Sequence, residues 1–437
     1  MIWAISVVPG RYSCGMASTL CVSRRVGALK ASVTVAITNR AKQLRADGVD
    51  VLGFAAGEPD FDTPEPIKQA AIAAMEAGQT RYMPTLGDMA TRETIAEKLV
   101  TENGIAGLTG GHIAISAGAK HALFISLQCL LDRPDPGEPR QEVILPVPAW
   151  VSYRPITELS GGKIVEIETA PESDFKMTPE QLEAAITPNS RVLILNSPSN
   201  PCGTMYSESE LRAFAAVVAR AASTVAPNLV ILTDEIYEKI VYGEVEHFSI
   251  GSVAEVADRT ITLNGLSKAY AMTGWRVGYA AMPGAFGAKF IKAMATLQGQ
   301  MTTNITSFNY AAIRCALTDA GVRDEVERMR LAFAARAVIM HERVSRIPGL
   351  RCPKPTGAFY VFPDVSSLFG RVTPGGRVIG SALDLSEALL DEVQVAFVPG
   401  EDFGGSGSDC VRISFACSED QINAGMDRFE KFVGQMT

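Results

Sequence analysis

The chain has 437 residues, 47% of them hydrophobic and 20% charged, with a formal net charge of −8. That length suits two domains, or one large domain with a satellite, and the composition is that of a globular protein with a large core. The acidic balance argues against a nucleic-acid partner, whose footprint on a protein is basic. Eight cysteines are scattered without a Cys-x-x-Cys pair. Neither a metal site nor a disulfide framework is therefore expected, and reduced thiols in the cytoplasm are the simplest account. No stretch approaches the roughly 18 apolar residues of a spanning helix, so no membrane association is expected.

Residues 1–8 are apolar, but Pro9-Gly10 ends the run and no basic residue precedes it, a poor match to a signal peptide. Residues 1–21 are expected to be an irregular tip, with Met16 the more natural start. Residues 22–64 lack any alternation of strand and helix and are expected to pack with the C-terminal part. A large domain is predicted over 65–323. Its strand-like apolar runs are 111–116, 142–146, 163–167, 191–195, 228–233 and 260–263, with helical patterns such as 122–127 and 207–222 between them. Short continuous apolar runs suit strands buried on both faces of a mainly parallel sheet, which makes this an α/β domain. From 324 the texture changes. A long helix runs to Arg346, stopped by Pro348-Gly349. Strands near 357–362 and 410–415 and a last helix from Ser418 complete a smaller α+β domain, 324–437.

The segment richest in chemistry is Ser267-Lys268-Ala269-Tyr270-Ala271-Met272-Thr273-Gly274-Trp275-Arg276. A lysine presented at a strand end can form a Schiff base with an aldehyde. Ser267 and Arg276 can hold a phosphate. Together they suggest pyridoxal phosphate. That cofactor needs an anion beside its pyridine nitrogen. Asp234 ends an apolar run, where ligands collect in open α/β sheets, and Tyr237 is placed to donate to the ring's phenolic oxygen. Alone, Asp234 reads equally well as the cap of a following helix.

Other pieces are modest one by one. In Asn196-Ser197-Pro198-Ser199-Asn200-Pro201 two prolines fix a turn that presents Asn200. Ser116-Ala117-Gly118-Ala119-Lys120 is a strand-to-helix junction whose free N–H groups suit a phosphate. No lysine in the chain is followed by Ser or Thr, so a Walker loop is absent. Trp150 can stack on a flat ring, although a core tryptophan is the commoner reading. Arg412, inside the apolar run Val411-Arg412-Ile413-Ser414, wants a planar anion: a substrate carboxylate or a structural ion-pair partner.

The ordered set resembles the class I (fold type I) aminotransferases, most closely the prokaryotic-type branch of aspartate and aspartate/prephenate enzymes. The likeness runs from about Ser23 to Phe432. It is carried by Ala56-Gly57-Glu58-Pro59-Asp60, Tyr82-Met83-Pro84, Ala149-Trp150-Val151-Ser152-Tyr153, the Asn200-Pro201 turn, Asp234-Glu235-Ile236-Tyr237, the Ser267–Arg276 segment and Val411-Arg412. The resemblance implies a large domain with a mainly parallel seven-stranded sheet and a smaller α+β domain. It implies ping-pong transfer of an amino group, aspartate or glutamate favoured, to a 2-oxo acid with pyridoxal 5'-phosphate. Lys268 would be the Schiff-base lysine and proton carrier, Asp234 the pyridine partner, and Tyr237 and Asn200 the contacts to the ring oxygen. Ser267, Arg276, Gly118, Ala119 and Lys120 would hold the phosphate, and Trp150 would stack. Arg412 would clamp the substrate carboxylate beside Gly57, with Asn200 and Trp150 also at the substrate, and Lys120 would meet a distal carboxylate. Tyr82 would reach the phosphate of a partner subunit, implying a homodimer with shared sites. Cys202 stands where the family has Thr or Ser, Ala149 replaces an aromatic, and residues 300–309 are unusual; these bear on substrate choice. An aromatic or other amino acid aminotransferase, a lyase on the same fold and a non-catalytic regulator are the alternatives.

Overall fold

The computed structural model describes residues 22–29 and 33–437, the side chains from Ala36 onward in the second stretch. The expected irregular tip, 1–21, lies outside them. Residues 22–29 hold one short helix, Arg24–Gly27, whose first turn is capped by the Ser23 side chain.

In the longer stretch a helix α1 (Val33–Ala46) leads to a two-residue strand β1 (Leu52–Gly53). The central sheet follows: β2 (Ile113–Ser116), β3 (Glu142–Val147), β4 (Lys163–Glu168), β5 (Ser190–Asn196), β6 (Val230–Asp234), β7 (Thr260–Gly265) and β8 (Gly278–Ala281). Their order is β2-β8-β7-β6-β5-β3-β4, seven strands in all. All neighbours are parallel except β8, which runs against both β2 and β7.

The apolar runs become strands because both faces are covered. On β5, Val192 and Ile194 join Leu123 and Leu127 of helix α2 (Ala119–Leu130). Leu193 and Leu195 face the other way, onto Leu211 and Phe214 of helix α3 (Glu208–Ala222). Burial of each such side chain is worth about 1.5–3 kcal/mol. Ser207 starts α3 with a reciprocal capping box to Glu210.

The C-terminal part begins with helix α4 (Ala320–Ser345), which starts ahead of the expected 324 because Asp319 caps it through Val322 N. Strands β9 (Tyr360–Val361), β10 (Val395–Ala396), β11 (Val398–Pro399) and β12 (Val411–Ser414) precede the last helix, α5 (Glu419–Gln435). β12 is the middle strand of the antiparallel set β11-β12-β9, with Arg412 opposite Val398 and Ser414 opposite Tyr360. β1 pairs in parallel with β10, and Phe54 meets Phe397 edge-on at 5.8 Å.

The six strand runs read from the sequence all form, within a residue or two at their ends. The seventh strand, β8, was not legible. Its sequence, Gly-Tyr-Ala-Ala, is poor in branched residues because the start of α2 lies against it: a Cβ on Gly278 would stand 2.2 Å from Ala119 N. No described helix is long and apolar enough to cross a membrane.

Candidate active site

The chain leaves β4 at one edge of the sheet and returns to β5 on the other side of β3, so the connections diverge between β3 and β5. Beyond the carboxyl ends of such strands an open α/β sheet leaves a crevice. Here the crevice is a cleft of about 420 Å³, lined by residues from the ends of β3, β5, β6 and β7, from α2, from the segment after β1, and by Tyr360 and Arg412.

Lys268 follows β7 and reaches into the cleft, where Nζ donates to the Gly57 carbonyl. Burial, then the Arg412 guanidinium, lower its ammonium to about 8. The ammonium lies 5.9 Å from the Tyr237 ring centre and 5.8 Å from that of Phe359.

Asp234 is the last residue of β6, in register with Asn196 of β5 and Leu263 of β7. No helix follows it; the next residues form a turn in which Ile236 N donates to Asp234 Oδ1 at 3.3 Å. The capping alternative therefore falls. Tyr153 donates to Oδ2 at 2.9 Å. Burial raises the Asp234 carboxyl to about 6, against the pull of that bond and of Lys268. A carboxylate so enclosed invites a cationic partner.

Arg412 is 5% exposed. Its Nη1 donates to Asn200 Oδ1 and its Nη2 to the Ala55 carbonyl, each at 3.0 Å. Its Nε is buried without a partner. Among the described residues it makes no ion pair, so the structural-pair alternative finds no support. The guanidinium lies 4.8 Å from the Tyr360 ring centre and 5.3 Å from that of Phe403.

The remaining expected residues fall around these three. Arg276 adopts a left-handed backbone (φ 56°), and its guanidinium lies so close to Gly118 that a Cβ there would be 2.2 Å from Nη2. Gly118 itself has φ 91° and opens α2 without a side-chain cap, so the first N–H groups of that helix remain available. Ser267, Ala119 and Gly57 line the same cleft. Lys120 lies over Trp150, Nζ 4.7 Å from the ring centre, and burial, then Arg276, lower its ammonium. Tyr82 is not among the cleft residues and is 87% exposed.

Sequence reading missed four contributors. Tyr153 holds Asp234. Asn196 links strand ends, donating from Nδ2 to the Asp234 carbonyl at 3.0 Å and accepting from Asn200 N at 2.9 Å. Tyr360 meets Tyr237, hydroxyl to hydroxyl, at 3.0 Å. Glu58 accepts from Thr273 Oγ1 at 2.9 Å at the cleft mouth. Glu58, Tyr153 and Asn196 lie in the quoted motifs; the available signal was the place of Asn196 at the end of β5, whereas Tyr153 opens the short helix Tyr153–Leu159.

The sequence matches the family described as aminotransferase class I and II over residues 49–429. The chain belongs to the class I and II aminotransferases. It is 42% identical to the aspartate aminotransferase of Geobacillus stearothermophilus over 414 residues, 94% of this chain and 98% of that protein. It is 40% identical to the aspartate/prephenate aminotransferase of Cereibacter sphaeroides, covering 94% and 98%. Among solved structures it is similar to the aspartate aminotransferase of Thermus thermophilus with maleate (TM-score 0.84, 40% identity, 95% of this chain and all of that one). This aminotransferase therefore has the type I fold, and its reaction is amino acid transamination.

Proposed function

We propose that this aminotransferase works with pyridoxal 5'-phosphate and prefers aspartate and glutamate as donors, with a 2-oxo acid as acceptor. The residues present fit that cofactor. Asp234 supplies a buried anion without a described cationic partner in hydrogen-bond contact, suited to a pyridinium nitrogen. Ser267, Arg276 and the open N-terminus at Gly118, Ala119 and Lys120 offer the donors a phosphate needs. Tyr237 and Asn200 are the groups for the ring oxygen, and Trp150 for the ring face. When bound, the cofactor supplies an aldehyde and an electron sink that stabilises negative charge at the substrate Cα.

The chain's own groups do the rest. Arg412, with Nε unpaired and Gly57 lining the same cleft, holds the α-carboxylate and so fixes which Cα–H faces Lys268. The Lys268 amine, already lowered to about 8, takes that proton near neutral pH. Lys120, which lines the cleft over Trp150, would pair with a second carboxylate. Maleate, a dicarboxylate, accompanies the Thermus structure, and the names of the relatives point the same way. The observation that carries the reading is the meeting of Lys268, Asp234 and a carboxylate-free Arg412 in one cleft.

We further propose a cytoplasmic homodimer, with Tyr82 of each subunit completing the other's phosphate site. The test of the catalytic reading is spectral. Wild type loaded with cofactor is mixed with single amino acids, beside Lys268→Ala. Wild type should bleach with aspartate and glutamate, and Lys268→Ala should lose both the bound-cofactor absorption and all transfer. A Lys268→Ala enzyme that keeps both sinks the mechanism. Bleaching by aromatic or neutral donors but not aspartate sinks the substrate preference.

A further inference from the structure

Tyr360 belongs to none of the roles assigned above, yet it touches two of them. It comes from β9, opposite Ser414 of β12, and it is fully buried. Its ring lies under the Arg412 guanidinium at 4.8 Å. Its hydroxyl stands 3.0 Å from that of Tyr237. The same hydroxyl is pressed against the loop that follows β1, since a Cβ on Gly57 would be 3.1 Å from it.

Two hydroxyls in contact share one hydrogen bond, and either can donate. The cofactor reading settles the direction. Tyr237 has a single proton; if it donates to the ring oxygen, its own oxygen must accept from Tyr360. The protons then run one way, from Tyr360 to Tyr237 to the cofactor, and each bond polarises the next. Without the Tyr360 hydroxyl, the Tyr237 oxygen is left buried and loses the donor that orients it.

We propose that Tyr360 is a positioning residue for this site: its hydroxyl aims and strengthens the Tyr237 donor, while its ring supports the Arg412 carboxylate clamp. The inference rests on the cofactor reading above. A stronger donor at the ring oxygen favours the form in which the Lys268–cofactor linkage is deprotonated. Removing the donor's support raises the pH at which the loaded enzyme changes colour.

The experiment is a spectral pH titration of the cofactor-loaded, substrate-free enzyme, in wild type, Tyr360→Phe, Tyr237→Phe and the double variant. Tyr360→Phe should raise the spectral midpoint by about half a unit, a fraction of one neutral hydrogen bond. Tyr237→Phe should raise it more, and the double variant should match Tyr237→Phe, because Tyr360 acts through Tyr237. Maleate binding to Tyr360→Phe, read by the same absorption, should stay within about twofold of wild type because the ring under Arg412 remains. A Tyr360→Phe midpoint equal to that of wild type overturns the inference, as does a shift that adds in full to that of Tyr237→Phe. A wild type that takes up no cofactor overturns the cofactor reading itself.

Discussion

Arg412 illustrates how much a single residue decides. Two of its nitrogens are committed to Asn200 and the Ala55 carbonyl, and Nε is buried without a partner. A planar fork held this way is ready for a carboxylate, and a lysine has neither the second contact nor the reach to keep both existing ones. Arg412→Lys is expected to lower kcat/KM about 100-fold for every amino donor, the scale of a lost charge-assisted pair. Steady-state kinetics across donors check this, and unchanged values would make Arg412 structural. This residue was legible because an arginine inside an apolar strand demands a partner. Tyr360 was not: its neighbours in sequence are equally apolar, and only the pairing of β9 with β12 brings it under Arg412.

At the level of the element, the turn after β6 is anchored from behind. Glu235 and Glu238 flank Tyr237 and enter a buried polar cluster with Lys98, Asn103, Ser249 and Thr233. His247 Nε2 stands 3.7 Å from Glu235 Oε2. Burial, then the Glu238 charge, raise the Glu235 carboxyl from 4.5 to about 8, whereas Glu238, despite its own burial, is held down to about 2 by Lys98. A carboxyl raised in the fold binds its proton more tightly folded than unfolded, so stability is lost as pH rises from 4.5 through about 8. Glu235→Gln cannot ionise and should flatten that part of the curve, gaining stability over wild type at pH 9 relative to pH 5. Denaturant midpoints at the two pH values check it, and a constant difference would refute the assignment. The cluster was invisible in sequence because Lys98 and Asn103 come from well over a hundred residues away. The strands were legible because both faces are apolar; β8 was hidden by the small residues that α2 requires of it.

For the whole molecule the telling residue is Tyr82, which is 87% exposed in a single chain and assigned by resemblance to the neighbour's phosphate. If sites are shared, Lys268→Ala and Tyr82→Phe damage opposite halves of each site. Mixing and refolding the two variants together should then rebuild intact sites in the mixed dimers, giving activity above either parent, up to about a quarter of the wild-type value if subunits pair at random. No gain over the parents would mean that each chain works alone. The antiparallel β8 also bears on how this architecture assembles. A parallel neighbour to β7 would have needed a crossover returning the chain to the far side of the sheet. By reversing at once, the chain keeps Lys268 and Arg276 at the same end of the strands, within one hairpin-like excursion between β7 and β8. The lysine and the arginine of the proposed cofactor site are therefore spaced by one short connection between two paired strands.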